Sequence, residues 1–339
     1  MKERVMKRTT LSDIAKMTGY SINTVSHALN DKTDISQKTK DEIKKAAVSL
    51  GYIGNSSASF LRSGKSRAVA VIIPDIANPH FSIMIKEMQL ALRNAGYTAV
   101  VFNTDEDEKN ETDAIMTSLR QNVDGIIICP VQKTSSNIEY LENCGVPFVL
   151  IGRCFDKNKH SYVVCDNKNG GFLAGMAAVR ISSGKPVLFL NASPFITTSR
   201  ERLDGIKQAF DVSGTPLEKL KVCEVSPMLS DNRDIAEILS DAKEYGAVIC
   251  FSDLLAMKVC MLLRGMSLSI PDDISVIGFD DIVSKFALPI MLSSISSSKT
   301  LMSSKAVEFL FGLIGGKKAE NCRAILPTEL IRRETTKNI

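Results

Sequence analysis

The ten residues from Ser21 to Asn30 hold the sharpest chemical signal in this 339-residue chain. At helical spacing Val25, Ala28 and Leu29 form one apolar face, leaving Ile22, Asn23, Ser26, His27 and Asn30 on the other. That second face has no charge. A helix face that only meets water is more commonly built from Glu and Lys. Short hydrogen-bonding groups and one aliphatic suit base-pair edges instead: Asn can pair bidentately with adenine, His can donate to guanine, and Ile can pack on a thymine methyl. Ser21 and Thr24 add hydroxyls at the helix N-terminus, where phosphate oxygens bind.

A second candidate is the carboxylate pair Asp280-Asp281, directly after the apolar run Ser275–Phe279. Ligands of open α/β sheets bind at strand carboxyl ends. General acid–base work needs a second poised group, and the sequence names none. The simpler reading is a carboxylate that accepts ligand hydroxyls. Gly64-Lys65-Ser66 looks like the end of a phosphate loop, but Ser59 occupies the position of its first glycine and no strand precedes it, so that reading is rejected. Eight cysteines contain no CxxC pair and mostly lie in apolar runs, and there are three histidines. Reduced core thiols of a cytosolic protein are expected, with no metal site and no cofactor.

The elements that must position these groups follow from caps and periodicity. Thr10, with Asp13 three residues on, begins a helix whose inward side is Leu11, Ile14, Ala15 and Met17, and Gly19 ends it. Ser21 caps the helix discussed above. Ser36 caps a third, with Ile43, Ala46, Ala47 and Leu50 on one face. This is a helix-turn-helix pattern. Residues 53–67 are small, polar and basic, a linker with room for one short helix. From Ala68 apolar strands alternate with amphipathic helices, the pattern of parallel sheets covered on both faces. That segment exceeds what one core usually supports, so two α/β lobes are expected.

Charge divides the same way. Residues 1–66 hold 12 Lys+Arg and 6 Asp+Glu, a net +6; the remainder holds 30 and 32, a net −2. A local basic excess points to a polyanion partner. No run of about 18 apolar residues exists and Met1–Thr10 lacks a signal-like apolar core, so neither membrane insertion nor secretion is expected.

Together, Thr10–Ala15, Ser21–Asn30, Gly51-Tyr52 and Leu61–Ser66 closely resemble the DNA-binding headpiece and hinge of LacI/GalR-family transcription regulators. Ile73–Pro79, Asp124–Ile127, Asp166-Asn167, Arg202–Gly205, Val276–Asp281 and Leu326–Leu330 look like that family's regulatory core, in the right order. The resemblance runs from about Thr10 to Thr335. It implies a small all-α helix-turn-helix headpiece over residues 8–53 and a hinge over 54–67. It further implies a periplasmic-binding-protein-like core over 68–339, made of two doubly wound parallel-sheet lobes. Their expected extents are 68–165 with 291–325, and 166–290 with 326–339.

By position, the resemblance places Ile22, Asn23 and His27 against bases and Leu61 as a minor-groove wedge. Tyr52, Asn55 and Arg62 fall near the DNA backbone or minor groove. Thr10, Leu11, Ser21, Thr24, Ser26 and Asn30 complete the implied DNA-facing set. Asp75, Phe81, Asp166, Thr198, Arg202 and Asp280 fall where the family lines its effector cleft, joined by Arg153 and Asp253. Departures cluster there: Gly152 stands where aspartate is frequent, Ser252 where asparagine is common, and no Trp exists for stacking. The implied protein is a cytoplasmic, non-enzymatic regulator, a repressor acting as a homodimer. It would bind a near-palindromic operator under control of a sugar-like effector. With no leucine-heptad tail, a dimer is expected over a tetramer. The competing reading is a solute-binding protein of the periplasmic sugar-binding type.

Overall fold

The computed structural model describes residues 9–53, 64–155, 159–226, 233–285 and 290–337. Asn55, Leu61 and Arg62 lie outside these residues. The chain divides after Ser66 into two compact units.

The first unit has helices α1 (Leu11–Thr18), α2 (Ile22–Leu29) and α3 (Gln37–Ser49). The Asp13 carboxylate accepts from the Thr10 N–H at 2.9 Å and hydroxyl at 2.7 Å, and Gly19 ends α1 at φ 76°. Only glycine takes that left-handed turn without steric cost. Ile14, Val25, Ala28 and Ile43 are fully buried against one another, with Ala46 and Ala47 beside them. Six small or medium side chains make a minimal core. It stabilises three short helices that would be marginal alone.

The second unit contains two six-stranded sheets. The first takes β1 (Ala68–Ile73), β2 (Thr98–Asn103), β3 (Gly125–Ile128), β4 (Phe148–Ile151), β5 (Tyr162–Cys165) and β11 (Arg323–Leu326), in the order β11-β5-β4-β3-β1-β2. All its pairings are parallel. The second takes β6 (Val187–Asn191), β7 (Leu220–Glu224), β8 (Ala247–Cys250), β9 (Ser275–Phe279), β10 (Ser293–Ser296) and β12 (Glu329–Ile331), in the order β12-β10-β9-β8-β6-β7. Here β12 runs antiparallel to β10 and closes the edge. Helices α4 (Pro79–Asn94), α5 (Glu108–Arg120), α6 (Ser136–Cys144) and α11 (Lys299–Ile314) belong to the first lobe. The second lobe holds α7 (Asn167–Ile181), α8 (Thr197–Val212), α9 (Arg233–Ile238) and α10 (Asp253–Gly265). Each sheet carries a separate apolar cluster on each face.

One boundary differs from expectation. Residues 293–296, assigned above to the first lobe, form β10 of the second. Ser293 bonds to Thr336 and Ser294 to Asp253, so this serine-rich strand is buried with its hydroxyls hydrogen-bonded. The chain returns to the first lobe only at α11, which packs on α4 and β4.

Helices α7 and α8 approach unusually closely. A Cβ on Gly171 would lie 2.1 Å from the Arg202 carbonyl, and one on Gly205 would lie 1.9 Å from the Lys168 carbonyl. No side chain fits at either position. The near-contact of backbones fixes where α8 carries Arg202.

Candidate functional site

In both sheets the chain reverses its winding direction, between β1 and β3 in the first and between β6 and β8 in the second. The carboxyl ends of these strands face one cleft between the lobes. Ligands of doubly wound sheets enter at such switch points. The cleft encloses about 600 Å³, mouth included, and is lined by Asp75, Asn78, His80, Phe81, Glu106, Cys129, Gly152, Arg153, Thr198, Arg202, Phe251, Ser252 and Asp280. A larger hollow of about 930 Å³ lies at the opposite, amino ends of β6, β8 and β9, beside Lys185, Lys243 and Asp273. The switch-point rule favours the smaller cleft.

Arg202 is the centre of the second-lobe wall. It is 7% exposed, and its guanidinium sits 4.6 Å from the Phe251 ring and 4.2 Å from the Phe279 ring. Nε donates to Asn167 Oδ1 at 3.1 Å and Nη1 donates to the Phe251 carbonyl. Nη2 stands 4.0 Å from Asp280 Oδ1, an ion-pair distance without a hydrogen bond. Asp280 holds φ 105°, rare for a residue with a side chain, and its carbonyl accepts from Lys299 Nζ of the first lobe.

His80, on the first turn of α4, faces this pair. Its Nδ1 lies 3.6 Å from Asp280 Oδ1 and has no hydrogen-bond partner. Burial holds the imidazole down at about 4, against the opposing pull of Asp280, so it is neutral at physiological pH. Arg153, in the first-lobe wall, makes a forked pair with Glu106 at 2.8 and 2.6 Å, and Nη1 also donates to the Pro130 carbonyl at 3.1 Å. Burial alone would weaken the guanidinium; Glu106 outweighs it and holds its pKa above the ordinary value. Burial pushes the Cys129 thiol up to about 12, so it offers the cleft a neutral, soft surface.

The structure therefore brings Asp75, Phe81, Arg153, Thr198, Arg202 and Asp280 together. It does not bring Asp166 and Asp253. Asp166 caps α7, accepting from the Asn169 N–H at 2.9 Å, and is spent on the helix terminus. Asp253 is fully buried behind the cleft, accepting from Ser294 Oγ at 2.6 Å and the Ile282 N–H at 2.8 Å. Burial and the neighbouring Asp280 charge raise its pKa well above the carboxylate range. Glu106, His80 and Phe251 were not foreseen. The His80-Phe81 dipeptide after Asn78-Pro79 was the available signal for His80.

In the headpiece Ile22 is 52% exposed, and Asn23 and Ser21 are also exposed. Ser21 Oγ accepts from the Thr24 N–H at 3.0 Å and shares a bond with the Thr24 hydroxyl. His27 Nδ1 lies 2.6 Å from Asp34 Oδ2, which leaves Nε2 for an outside partner. That hydrogen bond lowers the Asp34 pKa. Ser26 is half-buried, and its carbonyl accepts from Asn30 Nδ2 at 2.6 Å, so the Asn30 amide is folded back onto its own helix. Thr10 is occupied with Asp13, and Leu11 and Tyr52 pack against the headpiece core.

A helix-turn-helix unit followed by two facing α/β lobes with a polar cleft defines a ligand-responsive DNA-binding regulator. Comparison with known families agrees. Residues 10–55 match the bacterial regulatory proteins of the lacI family, and residues 66–334 match the periplasmic binding proteins and sugar-binding domain of the LacI family. The chain belongs to the LacI family and is a DNA-binding transcriptional regulator with a sugar- or metabolite-binding domain. Among curated relatives, the HTH-type transcriptional regulator DegA of Bacillus subtilis is 26% identical over 333 residues, covering 97% of this chain and 98% of DegA. The ribose operon repressor of Lactococcus lactis is 28% identical, covering 96% and 98%. The repressor PurR of Pasteurella multocida is 27% identical, covering 97% and 99%. Among solved structures, the lac repressor dimer bound to operator and the anti-inducer ONPF matches with a TM-score of 0.82 at 22% identity over 97% of this chain and 99% of that one. No helix among the described residues is long and apolar enough to cross a membrane.

Proposed function

We propose that this chain is a homodimeric repressor whose operator affinity is set by a neutral monosaccharide-class effector in the interlobe cleft. The observation that carries the effector class is charge balance. Among the described residues that line the cleft, Arg153 is matched by Glu106 and Arg202 by Asp280, which leaves no surplus cation there for a phosphate or carboxylate. What it offers is hydroxyl chemistry: Asp75 and Asp280 to accept, Thr198 and the neutral imidazole of His80 to do either, and the Phe81 and Phe251 rings as apolar surfaces. Sugars need this mixture. The ribose operon repressor among the relatives supports a sugar effector.

On DNA, α2 of each protomer enters the major groove of one half-site, and two-fold symmetry gives a near-palindromic operator. Ile22 and Asn23 contact base edges, and His27, oriented by Asp34, presents Nε2. Ser21 and Thr24 lie near phosphates. Leu61, with Tyr52, Asn55 and Arg62, acts at the minor groove between half-sites. Duplexes selected from a random pool by the purified protein test the DNA reading. A two-fold symmetric consensus is expected; enrichment without symmetry would refute it. With that operator in hand, fluorescence anisotropy in the presence of neutral sugars should show a shift in affinity of about 5–150-fold, the usual range of allosteric coupling.

A further inference from the structure

Helix α8 begins at Thr197 and carries Thr198 and Arg202 into the cleft, yet the residue before it, Ile196, gives it no side-chain cap. The cap comes from the other lobe. Gln132, in the loop after β3, is 5% exposed. Its Oε1 accepts from the Thr197 N–H at 2.9 Å and from the Thr197 hydroxyl at 3.0 Å, and its Nε2 donates to the Cys154 carbonyl at 3.1 Å. Gln132 also holds φ 72°, a left-handed conformation that a residue with a side chain keeps only when its surroundings fix it. The first-lobe loop is thus shaped to deliver one amide to the otherwise uncapped N-terminus of the second lobe's helix.

We propose that Gln132 is a positioning residue for the effector site, a helix cap lent across the cleft that holds the lobes at the spacing where Arg202 and Thr198 face Asp75 and His80. Separating the lobes removes both bonds at once and leaves a helix terminus without its acceptor. Opening the cleft would therefore need this cap to break. The inference rests on the cleft as the effector site only for its consequence. Its test needs neither an effector nor an operator.

The test is amide hydrogen exchange on the full-length, ligand-free protein and two single variants. Gln132→Met keeps the length and loses the bonds. Thr197→Pro removes the donor N–H and hydroxyl from the other side. Proline is favoured at the first position of a helix, and Ile196 already has the extended ψ of 122° that a following proline requires. Each variant should speed exchange about tenfold in residues 198–201. Exchange should also rise at the distant cleft floor, residues 129–131 and 251–253, while residues 205–210 inside α8 stay unchanged. The double variant should exchange no faster than either single one. Acceleration confined to 198–201 would make Gln132 a local cap and overturn the proposal, as would uniform acceleration through both lobe cores or additive effects in the double variant.

Discussion

The two walls of the cleft treat the same side chain in opposite ways. Arg153 of the first lobe is closed on itself, with a forked bond to Glu106 and a third to a carbonyl of its own lobe. Arg202 of the second lobe is clamped between two rings and held by Asn167, but its nearest carboxylate, Asp280, is left at 4.0 Å. The first arginine is built to stay; the second is aimed and left incomplete. A ligand hydroxyl that bridges Arg202 and Asp280 would complete it. On the proposed reading of the cleft, two guanidiniums in one pocket have separable roles, one structural and one recognising.

Substitutions can break this contrast. Arg153→Leu leaves Glu106 buried without its partner and should cost about 3–5 kcal/mol. Chemical denaturation would read the loss, and Glu106→Gln in the same background should restore part of it. Next comes Gly205→Ala, whose Cβ would lie 1.9 Å from a backbone carbonyl. Forcing α7 and α8 apart should cost about 2–3 kcal/mol and lower Tm by about 5–10 °C. It should also weaken effector binding, because Arg202 moves with the helix. By contrast, Arg202→Lys keeps the charge, so it should cost less stability than Arg153→Leu yet abolish the effector response, since an ammonium cannot reproduce the planar stacking. Loss of folding rather than of response in that variant would merge the two roles.

Two titrations sharpen the comparison. His80 has a folded pKa of about 4 against an ordinary 6.5, so its contribution is complete above 6.5 and is lost as pH falls toward 4. Over that window stability should drop by up to about 3 kcal/mol, and His80→Phe should flatten the profile. Asp253 works in the other sense. Its raised pKa means stability is fullest when it is protonated and declines as pH rises through the folded value. Asp253→Asn, which cannot ionise, should therefore remove that decline with rising pH. A large loss of stability in that variant would show that the charged form is what holds the turn at Ile282.

Local features were legible in the sequence and distant ones were not. The chemistry of α2 sits within ten consecutive residues, so helical periodicity alone separates Val25 and Ala28 from Ile22 and Asn23. Helix starts in the core, at Pro79, Glu108 and Thr197, are harder to read. First turns are polar and hold no apolar repeat. The cleft is assembled from partners far apart in the chain: Arg153 and Glu106 are 47 residues apart, and Gln132 and Thr197 are 65. No spacing announces such pairs. Asp166 and Asp253 illustrate the converse. A carboxylate at a strand end serves a ligand or its own helix equally well on paper, and only the observed hydrogen bonds decide.

Thermal denaturation of the full-length protein across neutral pentoses and hexoses, their phosphates, and purine bases tests the central claim most directly, because a ligand that binds only the folded state raises Tm. A rise with at least one neutral sugar is predicted, lost in Arg202→Lys and absent with its phosphate. A rise with a sugar phosphate or a purine base, and with no neutral sugar, would contradict the charge balance on which the account of this cleft stands.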